Sequence, residues 1–172
     1  RNYYRSASTG SANRPLVLVV TPATINLTGG AFENNGFRAS DGAELGFNAG
    51  ISLSPASPEQ CTLNITGTTF NGNSTSATTP TGNTPLITGT SAATAGAGGI
   101  ASATITNAAF TNNEVSAIFF NNGAGSVVFS GGAISGSTGG AGMIVANPIA
   151  SLSITGTSLS GNSGLINVSG AA

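Results

Sequence analysis

The sequence predicts an all-β chain wound into a β-solenoid. Three observations carry that expectation: a motif that recurs five times, coil-like spacing between its copies, and a composition suited to short strands and tight turns. Ser, Thr, Asn and Gly supply 22, 22, 18 and 26 of the 172 residues. Such a composition borders on disorder, but disordered chains combine few apolar residues with high net charge. This chain is 39% hydrophobic, has a mean hydropathy of +0.22 and a formal charge of -1. Its apolar residues fall in short clusters of Ile, Leu, Val and Phe split by Gly and Asn, the pattern of strands joined by turns. No run carries a persuasive apolar stripe of period 3.6, which argues against alternating βαβ units.

The five copies align without gaps. They are Ile25-Asn-Leu-Thr-Gly-Gly-Ala-Phe32, Leu63-Asn-Ile-Thr-Gly-Thr-Thr-Phe70, Ala103-Thr-Ile-Thr-Asn-Ala-Ala-Phe110, Val127-Val-Phe-Ser-Gly-Gly-Ala-Ile134 and Leu152-Ser-Ile-Thr-Gly-Thr-Ser-Leu159. Asn or Gly follows within a few residues, as in Asn34-Asn35, Gly72-Asn73, Asn112-Asn113 and Gly161-Asn162. With Leu27, Ile65, Ile105, Phe129 and Ile154 as equivalents, the steps are 38, 40, 24 and 25 residues. The last two suit one bare turn of a wide solenoid, and the first two a turn with an insertion or an extra shorter turn. Thr/Pro/Gly-rich candidates for insertions lie at Asn71–Pro85 and Thr90–Gly99.

Further short strands are expected at Glu44–Phe47, Leu86–Thr88, Ala117–Phe120, Met143–Ala146 and Leu165–Val168, giving two or three strands per turn. Alternate side chains of a strand face opposite ways, so Ile25 and Leu27, or Leu63 and Ile65, would point inward. Phe32, Phe70, Phe110, Ile134 and Leu159 follow the Gly/Asn corner and would stack along the axis as a core column. Asn and Gly tolerate the left-handed backbone that corners need. Asn repeated at one corner can form an amide ladder. A Ser/Thr-rich β-sandwich is the competing fold, but it does not require one motif at one coil spacing.

The terminal Phe with its following Asn-Asn resembles the coils of right-handed parallel β-helix proteins. Gly29-Gly-Ala-Phe-Glu-Asn-Asn35 and Gly131-Gly-Ala-Ile134 carry the likeness most strongly. The resemblance spans roughly residues 20 to 170. It is to the repeats of polymorphic outer-membrane and autotransporter-type adhesin passengers, and to the pectin-lyase-like superfamily generally. It implies a right-handed parallel β-helix of roughly six or seven coils at ~4.8 Å per coil. It implies a fold and no particular activity. The sequence departs from the pattern in having no membrane barrel and no amphipathic capping helix.

Charge excludes several functions. Only nine residues are charged, and there is no Lys, His or Trp. A nucleic-acid binder needs a basic stripe, which this chain lacks. A His-based triad or His-ligated metal is impossible, and a single Cys excludes a zinc cluster and any disulfide within the chain. The longest strongly apolar run, Leu16 to Val20, is five residues, too short to span a membrane. Lyases of the pectin-lyase-like superfamily pair acidic calcium ligands with an Arg or Lys base, and its hydrolases cluster Asp residues. Here the one Asp, Asp41, sits near Arg38 and Glu44 in the only dense charged group. Two carboxylates can serve acid/base chemistry at the right separation; a solvated loop or local ion pair is the reading preferred here. Neither enzyme activity nor a cofactor is expected.

Other features admit several readings. Cys61 reads as a buried inert thiol, with an intermolecular disulfide as the alternative. Tyr3 and Tyr4 lie in an Arg-flanked N-terminal segment that reads as a mobile terminus or a docking arm. Sequons for N-glycosylation occur at Asn26, Asn64, Asn73 and Asn167. Outward pairs such as Asn26 and Thr28, Asn64 and Thr66, Thr104 and Thr106, and Ser153 and Thr155 would stand about 7 Å apart. They resemble the flat face of ice-binding solenoids, though Val128 and Ser130 break the array.

The ends complete the expectation. A solenoid exposes a row of unpaired backbone groups at each end, usually blunted by charge, Pro or a covering element. From residue 60 onward the only charge is Glu114. The assembly candidates are Leu16, Val17, Leu18, Val19 and Val20 at one end and Leu165, Ile166 and Val168 at the other. Head-to-tail contacts of this kind do not close and give filaments. The start at Arg1 is also compatible with a segment of a longer solenoid. The organisation expected is an N-terminal arm over 1–14 and one solenoid domain over 15–172. The function expected is a non-catalytic extracellular or cell-surface protein that pairs with copies of itself. An adhesin passenger and an ice-binding solenoid are the alternatives; the partners expected are copies of the chain and glycans.

Overall fold

The computed structural model describes residues 3–6, 17–39, 44–45, 50–53, 55, 59–73, 85–90, 99–113, 116–137, 144–163 and 166–170. All regular structure among them is β. In chain order the strands are β1 Tyr3–Ser6, β2 Val17–Val19, β3 Thr24–Thr28, β4 Ala31–Glu33, β5 Gly36–Ala39, β6 Glu44–Leu45, β7 Ile51–Leu53, β8 Gln60–Thr66 and β9 Thr69–Asn71. They continue as β10 Pro85–Thr90, β11 Gly99–Thr106, β12 Ala109–Thr111, β13 Ser116–Ser130, β14 Ala133–Ser135, β15 Ile144–Thr155, β16 Ser158–Ser160 and β17 Ile166–Gly170. The expected insertions fall largely on residues 74–84 and 91–98, which lie outside the described residues.

The pairings build three columns. The third column is a five-stranded sheet ordered β16-β14-β12-β9-β4. The first two columns merge into a nine-stranded sheet because β13 and β15 each run through both. The N-terminal part of β13 pairs with β10, and its C-terminal part pairs with β11. Register slips between Asn121 and Ala124, which marks the passage from one column to the next. The first column then reads β2, β7, β10, β13, β15, β17, and the second β3, β8, β11, β13, β15. Every described pairing is parallel except that of β5 with β6. A chain visiting the columns in the same order on every pass must pair in parallel. The architecture is therefore a solenoid-like parallel β structure. β1, inside the segment read as an arm, pairs with β5.

Because side chains alternate along a strand, one rank of each column faces inward. In the first column the rank Val17, Ile51, Ile87 and Ile118 is β-branched throughout, and the last three are fully buried. β-branched residues suit such a pleated surface. In the second column Leu27, Ile65, Ile105, Phe129 and Ile154 lie in register, as the motif alignment requires. In the third column the rank is Phe32, Phe70, Phe110, Ile134 and Leu159. Phe32 and Phe70 stack with centroids 5.0 Å apart, and Phe70 and Phe110 at 4.7 Å with planes 1° apart.

The fourth rung exchanges its two large residues. Its second-column residue is Phe129 and its third-column residue Ile134, whereas the rungs before it carry an aliphatic residue and then Phe. Phe129 meets Phe110 edge-on, centroids 6.4 Å apart. Within that rung the aromatic and aliphatic residues trade columns, an exchange of volume that cores tolerate. Leu159 is 40% exposed, because no described strand covers that side of β16.

Each rung turns sharply on either side of its third-column strand. Gly29, Gly67, Asn107, Gly131 and Gly156 take φ of 51–70° before that strand; Asn34, Gly72, Asn112, Gly136 and Gly161 take φ of 51–63° after it. Only Gly and Asn occupy these ten places, the residues that tolerate left-handed backbone. The hydrogen-bond ladder continues through the corners: Gly29 N donates to Thr66 O at 2.8 Å, Gly67 N to Thr106 O at 2.9 Å and Asn107 N to Ser130 O at 2.8 Å. The corner backbone is thus satisfied by the neighbouring rung.

Phe70, sandwiched between two rings, sets the first test. Urea denaturation of Phe70→Ala should show a loss of about 3–5 kcal/mol. The corners set the second. Gly29→Ala meets open space and should cost about 1–2 kcal/mol for the left-handed backbone alone. Gly132→Ala should cost more, since it adds to φ +74° an overlap of the new Cβ with the Ala108 carbonyl oxygen.

Candidate functional site

Immediately after the second corner of each rung comes a polar residue: Asn35, Asn73, Asn113, Ser137 and Asn162. All but Asn162, which is half-buried, are buried. The sharp turn aims each side chain along the solenoid axis, where the equivalent group of the next rung waits. Asn35 donates to Asn73 Oδ1 from its main-chain N at 3.1 Å and from Nδ2 at 3.0 Å. Asn73 repeats this toward Asn113 Oδ1 at 3.0 and 2.9 Å. Ser137 N donates to Asn162 Oδ1 at 3.0 Å. Each amide also satisfies a main-chain carbonyl of the rung before it: Asn73 Nδ2 to Phe32 O, Asn113 Nδ2 to Phe70 O and Asn162 Nδ2 to Ile134 O. This is a buried asparagine ladder with a fixed direction.

The outer face of the second column is a polar array. Three ranks run across it in register: Thr24, Thr62, Ser102, Ser126, Ser151; Asn26, Asn64, Thr104, Val128, Ser153; and Thr28, Thr66, Thr106, Ser130, Thr155. All are exposed or half-buried, and Val128 is the sole apolar member. Neighbours in a rank lie ~4.8 Å apart and ranks about 7 Å apart. Asn64 Nδ2 donates to Asn26 Oδ1 at 2.9 Å, so the amides of this face also link rung to rung. The face offers many hydroxyls and no charge.

The expected glycosylation positions fall in different settings. Asn26 and Asn167 are exposed and Asn64 is half-buried. Asn73 is 1% exposed and its amide nitrogen makes two hydrogen bonds, so in the folded chain it is withdrawn from the surface. Of the assembly candidates, Leu16 and Leu165 lie outside the described residues. Val17 and Val19 are half-buried, while Leu18, Val20, Ile166 and Val168 are 58%, 57%, 39% and 43% exposed. Leu159 is exposed as well, and among the residues whose burial is described these five large apolar side chains lie on the first or last rungs.

Asp41 lies outside the described residues, and Arg38 pairs in backbone register with Glu44 across β5 and β6. Among the described residues no three of His, Cys, Asp and Glu gather where they could hold a metal ion. Cys61 is fully buried, with its thiol 3.4 Å from the Thr21 carbonyl oxygen, which it meets as a donor. Burial removes it from intermolecular disulfide chemistry in the folded state. Among the described residues no helix is long and apolar enough to cross a membrane. No protein-family model, curated protein or solved structure matches the chain.

Asn73→Ala would strip four side-chain hydrogen bonds and orphan donors on Asn35 and the Phe32 carbonyl. Chemical denaturation should show a loss of about 3 kcal/mol or more. Asn26→Ala, on the exposed face, should stay within about 0.5 kcal/mol of the parent.

Proposed function

We propose that this protein is a non-catalytic structural solenoid, a right-handed parallel β-helix of five coils and the first strand of a sixth among the described residues. It stacks end to end with copies of itself into extracellular filaments or a surface layer. One observation carries the reading: each terminal rung carries exposed large apolar residues, Leu18 and Val20 at one end and Leu159, Ile166 and Val168 at the other. The edges of β3 and β4, and of β16 and β17, add main-chain donors and acceptors that pair with no other described strand. Two different ends meeting head to tail make a contact that propagates without closing.

The polar ranks favour a second reading, in which the flat face of hydroxyls and amides engages a periodic surface, as an adhesin or an ice binder would. The two readings use different surfaces and separate cleanly.

Electron microscopy and fibre diffraction of the native protein should show filaments with a meridional reflection near ~4.8 Å. Leu18→Lys with Val168→Lys should abolish them while leaving the circular dichroism spectrum unchanged. Discrete particles from the parent chain across a wide concentration range would refute assembly. Thermal hysteresis or surface adhesion, lost on Thr104→Lys, would then support the polar face.

A further inference from the structure

The three columns do not hold the same number of described strands. The first has six, β2, β7, β10, β13, β15 and β17, while the second and third have five each. β17 therefore stands one strand spacing beyond its neighbours. No described strand covers β16 or the Ser151–Thr155 part of β15 beside it. At the other end β2, β3 and β4 finish level, each paired on one side only among the described strands. A second copy whose β2 rested on β17 would leave a strand-wide gap in the other two columns.

The step matters because β2 and β17 are equivalent in register. The pairings carry Val17 through Ile51, Ile87, Ile118 and Ile144 to Ile166, and Val19 through Leu53, Gly89, Phe120 and Ala146 to Val168. Closing the gap seats the second copy's β3 on β15 and its β4 on β16. Ile25 then continues the rank of Leu152, Leu27 that of Ile154 and Phe32 that of Leu159. Five of these six are half-buried and Leu159 is 40% exposed, so each has surface left to cover. The corner bonds run on in the same sense. Gly131 N donates to Thr155 O and Gly136 N to Ser160 O, which makes Gly156 N and Gly161 N the next donors. The first acceptors, in register with Thr66 and Asn71, are Thr28 O and Glu33 O. One place is then left in the first column, between β15 of one copy and β7 of the next, and either β17 or β2 fits it.

We propose that the end-to-end joint is a strand exchange, in which β17 of one copy fills that place, displaces β2 of the next copy and pairs with its β7. The inference rests on the assembly reading above and specifies its interface. Length and side chains select β17. It has five residues to the three of β2, and it meets β15 at four register positions. Its Ile166 and Val168 bring one methylene more to the inward rank than Val17 and Val19 do. Strand addition of this kind takes its strength from main-chain hydrogen bonds and its selectivity from alternate side chains. Each copy then advances the filament by five strand spacings, about 24 Å, instead of six, about 29 Å.

Helical reconstruction of filaments of the full chain should give an axial step near ~24 Å per copy. Hydrogen exchange, compared between filaments and dispersed chain, should slow across residues 24–28 and 166–170. Across residues 17–19 it should quicken roughly tenfold, because assembly frees that strand. Val17→Ser with Val19→Ser weakens the strand to be displaced and should shorten the lag before assembly several-fold, whereas Ile166→Ser with Val168→Ser should lengthen it. Filaments with a step near ~29 Å would overturn the exchange and leave assembly standing. Quickened exchange at 166–170 with slowed exchange at 17–19 would do the same, giving the place to β2. Discrete particles alone would remove assembly itself, and the joint with it. Should the serine variants fold poorly, the exchange pattern of the unaltered chain decides between the two strands.

Discussion

Everything in this molecule depends on parallel, in-register stacking of equivalent residues at one strand spacing. That single translation turns a local motif into continuous columns. It places Phe32 under Phe70 and Phe70 under Phe110, and sets Asn35, Asn73 and Asn113 within hydrogen-bond reach of one another. It also lets each corner pass its backbone donors to the next rung, so left-handed turns cost no hydrogen bonds. A shift of one residue in any strand would turn an inward rank outward and break both columns together.

Tolerance and intolerance follow from the same rule. The fourth rung carries Phe129 and Ile134 in place of the usual aliphatic-then-aromatic order, and the core stays closed because volume is exchanged between columns. Ser137 takes the asparagine place in that rung and still donates its main-chain N–H to Asn162 Oδ1. The corners allow no such freedom, since their backbone admits only residues at ease with positive φ. Composition reflects this: an abundance of Gly and Asn is the demand of ten tight corners, repeated rung by rung.

The sequence made the second and third columns readable, because both lie inside one ungapped motif and their apolar residues alternate. The first column was harder to read. Ile51–Leu53 has only two apolar residues, between segments rich in Gly, Ser and Pro, and escaped notice as a strand. The fusion of columns in β13 and β15 crosses Gly and Pro that read as breaks. Asn73 fits a sequon as well as it fits the ladder, and sequence proximity cannot separate them; the neighbouring rungs 38 and 40 residues away decide it. Tyr3–Ser6 lacks the apolar-x-apolar signature, and its pairing with β5 rests on a register that sets Tyr4 beside Phe37 and Arg5 beside Arg38.

The ladder also has a sense. The carboxamide oxygens of Asn73, Asn113 and Asn162 take donors from the rung before, and the main-chain N–H groups of Asn35, Asn73 and Ser137 point to the rung after. Hydrogen bonds chained in one orientation polarise one another. A protein almost without formal charge thereby carries a direction in its ladder, with an unused acceptor, Asn35 Oδ1, at the end where it begins. Two such molecules brought tip to tip are complementary in one order and repulsive in the other. The fold would thus tell its own head from its tail without an ion.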